Sequence, residues 1–396
     1  MNKLEGLDIV CLSTSAWDYP FGSKQNIMNR LSKENRILYI ESQLSILHFF
    51  KYPLLFFSRA KDFLKGLWHP YAANKNIIVF SPPPIFLPFD TYSLHINAFN
   101  QKILLLLLKC VFKRIGFRPV ILWAFHPRSA QLCGRLNERL SIYHGIDEYS
   151  VEKTSKSRKN VLEILESEIL AKVDIVFLCS KELCKLKSKL RPDAIFLPPG
   201  GDFARFAHNA HKYAIPADIK EIRPPRIGFA GSLDRRIDAG LISAVAQRNP
   251  HWSIILIGNN RLSTEENKLL SKSSNIYFLG FKNRNDIPAY IHALDICILP
   301  YFIDEFTKFI FPLKLFECLA SGKPIVSTAL ADLEAYSNYI HVCRTYNAFI
   351  QAIQASLTNV QDGQAERTML AEENSWDIRV KEAAGIIIQK LSKSNV

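Results

Sequence analysis

The feature that most constrains this chain is a rhythm. Apolar runs of strand length, rich in β-branched side chains, alternate from end to end with segments of helical length. In the first half the runs are LDIVCLS, RILYIE, NIIVFS, PVILWAF, LSIYHGI, VDIVFLCS and AIFLPPG; in the second they are RIGFAGS, WSIILIG, NIYFLGF, DICILPY, PIVSTA and HVCRT. A strand that is apolar on both faces must be covered on both faces, and the helices between successive parallel strands do this. The pattern predicts an α/β fold. At 396 residues the chain exceeds one ordinary core, so two doubly wound domains are expected. The stretch LPPGGDFARF, followed by the polar HNAHKYAIPADIKEIRPP, reads as the junction between them.

The eight cysteines fall mostly inside apolar runs and never form Cys-x-x-Cys. That spacing disfavours a disulfide framework or a zinc site and fits free thiols in a reducing cytoplasm. The opening MNKLEGLDIVCLSTS carries acids where a signal peptide needs an apolar centre, so it reads as a first strand. The stretch ILLLLL ends at Lys109 and the LSILHFF to PLLFF region is broken by Lys51. Both fall short of the roughly 20 residues a membrane span requires, and no transmembrane helix is expected.

The net charge of +13 is uneven. Residues 1–200 hold 28 Lys and Arg against 17 Asp and Glu, whereas the remainder holds 22 against 20. Within residues 42–128 there are eleven basic residues and two acids, Asp62 and Asp90, among many aromatic and leucine side chains. Phe49, Phe50, Phe56, Phe57 and Trp68 stand beside Lys51, Arg59, Lys61 and Lys65. This is the mixture of an interfacial segment facing an anionic membrane surface. The alternative is a helical insert that packs its apolar face on its own domain. No nucleic-acid motif accompanies the charge.

Two stretches of the second half carry the chemistry. In FPLKLFECLASGKPIVST, Pro312 suits a first helical position, and Lys314 and Glu317 then share a face at i, i+3. Such a face can hold an anion and a hydroxyl; it can equally be a surface ion pair. In GFAGSLDRR the small residues Ala230, Gly231 and Ser232 follow a strand and let backbone approach a phosphate, with Arg235 and Arg236 next. The turn does not match Gly-x-Gly-x-x-Gly, which disfavours a dinucleotide dehydrogenase.

In order and spacing these segments resemble the nucleotide-sugar half of a GT-B glycosyltransferase of the broad group-1 type. The first half adds IYHGIDEYS, Glu168 ahead of KVDIVFLCSKEL, and LPPGGDFARF, similar to the turn that enters the second domain of that family. The likeness is nearest to the subgroup of xanthan glucuronosyltransferase and teichuronic-acid enzymes, where Pro-Leu-Lys precedes the helix glutamate. It implies a GT-B fold of two Rossmann-like domains facing a cleft: an acceptor domain over residues 1–200, a nucleotide-sugar domain over 201–375, and a C-terminal helix, 376–396, returning to the first. It implies that Glu317 binds the ribose hydroxyls and Lys314 the diphosphate of a UDP-sugar, with Gly231, Ser232 and Arg235 opposite. The expected acceptor is a lipid-linked or membrane-associated glycan of cell-surface polysaccharide synthesis. The expected enzyme is cytoplasmic, peripheral on the inner membrane face, and needs neither a metal ion nor an organic cofactor.

One departure bears on mechanism. The family pairs two glutamates eight residues apart, and position 309 is phenylalanine here. That weakens the case for retaining chemistry, and an inverting displacement needs a general base from the first domain. The stretch YHGIDEYS ends a strand; Asp147 is the candidate, with Glu148 and His144 behind it, because adjacent carboxylates raise each other's pKa. His126 in WAFHPRSA ends another strand. Two alternatives share the architecture: a nucleotide-sugar 2-epimerase, and a catalytically silent GT-B binding partner.

Overall fold

A computed structural model of the chain describes residues 3–18, 22–68, 71–149, 151, 155–207, 213–359 and 362–393. The chain separates into two units: Met1–Pro198 with Val380–Val396, and Pro199–Arg379. Residues 208–212 of the expected junction lie outside the described residues.

The first unit is built on β1 (Asp8–Leu12), β2 (Arg36–Ile40), β3 (Tyr71–Asn74), β4 (Ile77–Phe80), β5 (Ile121–Ala124), β6 (Leu140–Gly145), β7 (Ile175–Leu178) and β8 (Ile195–Phe196). Their order across the sheet is β3-β4-β2-β1-β5-β6-β7-β8. Ile9 pairs with Ile37 on one side and Ile121 on the other, and the central strands are buried along their length. Every pairing is parallel except β3 with β4, which is antiparallel. β3 carries no strand signal of its own, because YAAN lacks β-branched residues. A local turn makes it: Asn74 Oδ1 accepts from the backbone N–H of Asn76 and Ile77, both at 2.9 Å, and reverses the chain.

The tract containing ILLLLL lies in one helix, Leu94–Ile115, capped by Ser93 and ended by Gly116 at φ 59°. At 22 residues the helix, unlike the uninterrupted runs within it, is by length and composition alone long and apolar enough to cross a membrane. Lys102 and Lys109 project outward and do not end the helix. Its inward face carries a polar stripe at i, i+3, i+4. Asn100 exchanges hydrogen bonds with the Leu87 backbone, both 2.9 Å; Asn97 donates to the Arg128 carbonyl at 3.3 Å, and Gln101 to Gln43 at 3.3 Å. These bonds tie the helix to the loops of Gln43 and Leu87 and to the 3-10 turn Pro127–Gln131, all in its own unit.

The helix Pro53–Trp68 turns Phe56, Arg59 and Phe63 inward and leaves Leu54 (87% exposed), Phe57 (59%) and Leu64 (58%) in solvent, beside exposed Lys61 and Lys65. Arg59 is therefore not a membrane-facing cation. Its guanidinium pairs with Glu41 and donates to Ser81 Oγ at 3.2 Å, while Glu41 also accepts from Ser81 Oγ at 2.6 Å and the Trp17 N–H at 2.7 Å. A buried arginine needs such partners. The side chains of Lys51 and Trp68 lie outside the described residues.

The second unit holds β9 (Arg226–Ala230), β10 (Ser253–Ile257), β11 (Ile276–Gly280), β12 (Ile296–Leu299), β13 (Ile325–Thr328) and β14 (His341–Cys343). They lie in the order β11-β10-β9-β12-β13-β14, all parallel. Ile227 of β9 pairs with Ile254 and Ile296. The strand order reverses between β9 and β12, and in open α/β sheets ligands bind beyond the carboxyl ends of strands at such a point.

Candidate functional site

The loop that leaves β9, residues 231–238, is braced on both sides. Toward β10, the Gly231 N–H donates to the Ile257 carbonyl at 2.8 Å and the Leu233 N–H to Asn259 at 3.0 Å. Toward β12, the Asp238 N–H donates to Pro300 at 2.8 Å and the Phe302 N–H to Arg236 at 2.7 Å. Gly258, at φ +140°, comes so close that a Cβ there would stand 1.9 Å from the Gly231 carbonyl oxygen. The small-residue turn is thus held rigid by its neighbours.

The two arginines of that turn differ in role. Arg236 is gripped by Asp234 through two hydrogen bonds of 2.7 and 2.6 Å. Burial acts upward on the Asp234 carboxyl, yet the Arg236 hydrogen bonds hold it below its usual value. Arg235 is exposed and lies 4.0 Å over the ring of Phe306. Phe306 belongs to the connection between β12 and the helix that carries Lys314 and Glu317, so Arg235 packs on that connection. Tyr301, on the same connection, is buried. Burial pushes its hydroxyl up to about 12, and the charges of Arg236, Asp234 and Glu317 all act on it. Those two halves of the site therefore lie within electrostatic reach of one side chain.

The helix carrying the pair runs Lys314–Ala320. It starts two residues later than Pro312 suggested, because the Leu315 N–H is spent on a turn bond to the Pro312 carbonyl, 3.1 Å. Lys314 and Glu317 both fall in its first turn and are joined at 2.7 Å, with 28% and 21% of their side chains exposed. The segment entering this unit packs on the same helix: a Cβ on Gly201 would lie 2.7 Å from Phe316 Cβ. Gly201 also exchanges backbone bonds with Asn374 and Trp376, at 3.0 and 2.9 Å. Gly201 is thus anchored within the second unit, while the boundary between the units falls at Pro198 and Pro199, inside the expected junction. Phe309 is buried, 6% exposed, and brings no carboxylate.

In the first unit the three candidates of YHGIDEYS go separate ways. Asp147 lies in the bend after β6, partly exposed, where its charge acts on Lys24. Glu148 is 2% exposed and stands 2.6 Å from the Lys187 ammonium, which also holds Glu166 at 2.7 Å. Glu166 accepts from the Tyr143 hydroxyl at 3.0 Å. Glu148 is consumed by a buried network and is not a paired carboxylate beside Asp147. His144 stacks at 5.2 Å on Phe125 and 6.1 Å on Trp123 and tilts against Phe177. Burial, and then the Lys24 charge, drive its pKa down to about 3, so it stays neutral in an aromatic cage and is a poor base. His126 is likewise driven well down by burial, and its Nδ1 accepts from the Arg128 N–H at 3.1 Å.

Sequence reasoning missed Lys24, Arg128 and Tyr301. For Lys24 a signal existed: GSKQN opens a helix, Ser23–Leu31, directly after the first strand loop, the same placement that singled out the β9 turn.

The architecture, two Rossmann-like units with polar loops at the carboxyl ends of parallel strands, is the GT-B fold. The structure is similar to sucrose-phosphate synthase from Thermosynechococcus elongatus, with a TM-score of 0.74 and 15% identity over 98% of this chain and 100% of that one. It is also similar to Anabaena HepE in complex with UDP and glucose, with a TM-score of 0.65 and 15% identity over 97% of this chain and 100% of that one. Residues 224–359 match the model of the family described as Glycosyl transferases group 1. Over 185 residues the sequence is 30% identical to a protein of Bacillus subtilis (strain 168) bearing the name teichuronic acid biosynthesis glycosyltransferase TuaH. That alignment covers 44% of this chain and 45% of the relative, less than half its length.

Proposed function

We propose that the protein is a glycosyltransferase that moves a sugar from a UDP-sugar to a lipid-linked or membrane-associated glycan acceptor in cell-surface polysaccharide synthesis. The observation that carries this reading lies inside residues 224–359, where the braced turn after β9 meets, through Arg235, Arg236 and Asp238, the connection leading to Lys314 and Glu317. Glu317 accepts from the ribose hydroxyls, Lys314 and Arg235 set positive charge against the diphosphate, and the backbone of the turn lies beside it. Two side-chain cations meet the charge of the UDP leaving group, so the reading invokes no metal ion. Asp147 takes the proton of the acceptor hydroxyl as general base.

The acceptor reading draws on the first unit. Phe50 (81% exposed), Leu54 and Phe57 accompany Lys61 and Lys65 on one outward surface. Apolar side chains enter a membrane interface while lysines meet anionic headgroups, which suits a peripheral enzyme on the cytoplasmic face. The test is UDP release from a panel of UDP-sugars with and without lipid-linked acceptors. Acceptor-dependent release supports the transferase. Interconversion of the UDP-sugar without acceptor identifies the epimerase, and binding without turnover identifies a silent partner.

A further inference from the structure

A pocket of about 320 Å³ opens in the first unit beyond the carboxyl ends of β1, β2, β4 and β5, lined in part by Thr14, Ser45, Phe86, Phe89, His126 and Arg128. Two cations have unused donors here: Arg128 on the pocket wall, and Lys24 behind the wall residue Thr14. The Arg128 side chain is 16% exposed, and its guanidinium makes no hydrogen bond among the described residues; its ion pair with Asp90 spans 3.7 Å, beyond hydrogen-bond length. The Lys24 residue is 8% exposed, and its ammonium has one partner among the described residues, the hydroxyl of Thr14 on the pocket wall. Largely buried side-chain donors are nearly always satisfied, and those left over call for an explanation. The charges of Arg128, Lys24 and Arg158, the last also on the pocket wall, all act on the His126 ring, so the three cations converge there.

The lip of the pocket is apolar. Phe89 is 59% exposed and sits at φ +67°, a backbone region that a bulky residue enters only when its surroundings impose it. Asn100 clamps Leu87 beside it. A backbone bridge from Ser45 to Phe86 carries this lip on to Ile46 and Leu47, both exposed, and so toward the outward surface that includes Phe50.

The geometry points to this pocket as the seat of a phosphate group carried on an apolar chain, the phosphate held by Lys24 and Arg128 and the chain leaving over Leu87 and Phe89. A phosphate presents several acceptor oxygens to donors that the fold leaves unused, and guanidinium and ammonium groups bind it through charge-assisted hydrogen bonds. An anion there also offsets the burial that pushes the Lys24 pKa down. A lipid phosphate and a soluble sugar phosphate share this headgroup chemistry; the apolar lip selects the first. The inference rests on the reading of the protein as a transferase to a lipid-linked acceptor.

The test measures binding to the full chain by calorimetry with no nucleotide sugar present. The probes are farnesyl phosphate, farnesol, inorganic phosphate and a hexose phosphate. Farnesyl phosphate should bind at least about tenfold tighter than each of the others. Arg128→Gln and Lys24→Met should each weaken it by about tenfold or more while leaving UDP affinity unchanged, and Phe89→Ser should weaken farnesyl phosphate but not inorganic phosphate. Should Lys24→Met fail to fold, Arg128→Gln and Phe89→Ser decide the matter. Equal binding of farnesol and farnesyl phosphate overturns the phosphate site, and tighter binding of the hexose phosphate overturns the apolar chain. Selective farnesyl phosphate binding without turnover of any UDP-sugar keeps the pocket and removes the transferase reading; turnover without that selectivity does the reverse.

Discussion

The ammonium of Lys314 donates to a carboxylate oxygen of Glu317 over 2.7 Å, one turn apart on the helix Lys314–Ala320. As a partly exposed i, i+3 pair it adds only a few tenths of a kcal/mol to stability. Its charges are worth far more to a ligand. Glu317→Ala should leave the melting temperature nearly unchanged and weaken UDP by roughly ten- to hundredfold, the loss of a charge-assisted hydrogen bond. Titration calorimetry on the folded variant checks this, and unchanged affinity removes Glu317 from the site.

Asp147 and Glu148 are adjacent in sequence and should respond in opposite ways. Asp147→Asn should keep UDP binding and stability while lowering turnover by roughly two to four orders of magnitude, the usual share of a general base. Glu148→Gln takes one of two carboxylates from the buried Lys187, so its first effect should be a stability loss of about 1–3 kcal/mol. Turnover and denaturation curves for both variants separate the roles. An Asp147→Asn enzyme with more than about half the activity moves the base elsewhere.

His144 and His126 should make the protein acid-labile above the range where carboxylates titrate. Both have folded pKa values depressed by burial, His144 to about 3. Unfolded histidines titrate near 6.5, so below that pH the unfolded chain binds protons that the folded chain refuses. Their contribution is complete above about pH 6.5 and is lost as pH falls, at up to ~1.4 kcal/mol per pH unit for each. Urea midpoints between about pH 7 and pH 5 should show this slope, and His144→Phe should reduce it.

The inward turn of Arg59 decides which variants test membrane docking. Lys61→Ser with Lys65→Ser should lower binding to phosphatidylglycerol vesicles and its sensitivity to salt. Leu54→Ser with Phe57→Ser should lower what persists at high salt. Arg59→Ser should instead unfold the region, because it leaves Glu41 buried without its cation. Co-sedimentation with anionic and neutral vesicles reads all three. Wild-type protein that stays in the supernatant with both makes the apolar surface a contact for something other than lipid.

The parallel strands of both sheets and the place of the Lys314 and Glu317 helix were legible in the sequence by itself, because each is encoded locally; the antiparallel β3, made by a turn at Asn74, was not. Burial on both faces demands continuous β-branched runs, and the i, i+3 spacing puts two side chains on one face whatever surrounds them. The tertiary structure decided what sequence distance hides. It set Glu148 on Lys187 and His144 among Trp123, Phe125 and Phe177; it turned Arg59 onto Glu41, brought the charges of Lys24 and Arg128 to bear on His126, and put Tyr301 within reach of the charges of Asp234 and Glu317. A charged residue reads alike in a sequence whether it faces solvent, a buried partner or an open pocket. The difference lies in desolvation and in partners tens of residues away, and only the packed chain fixes either.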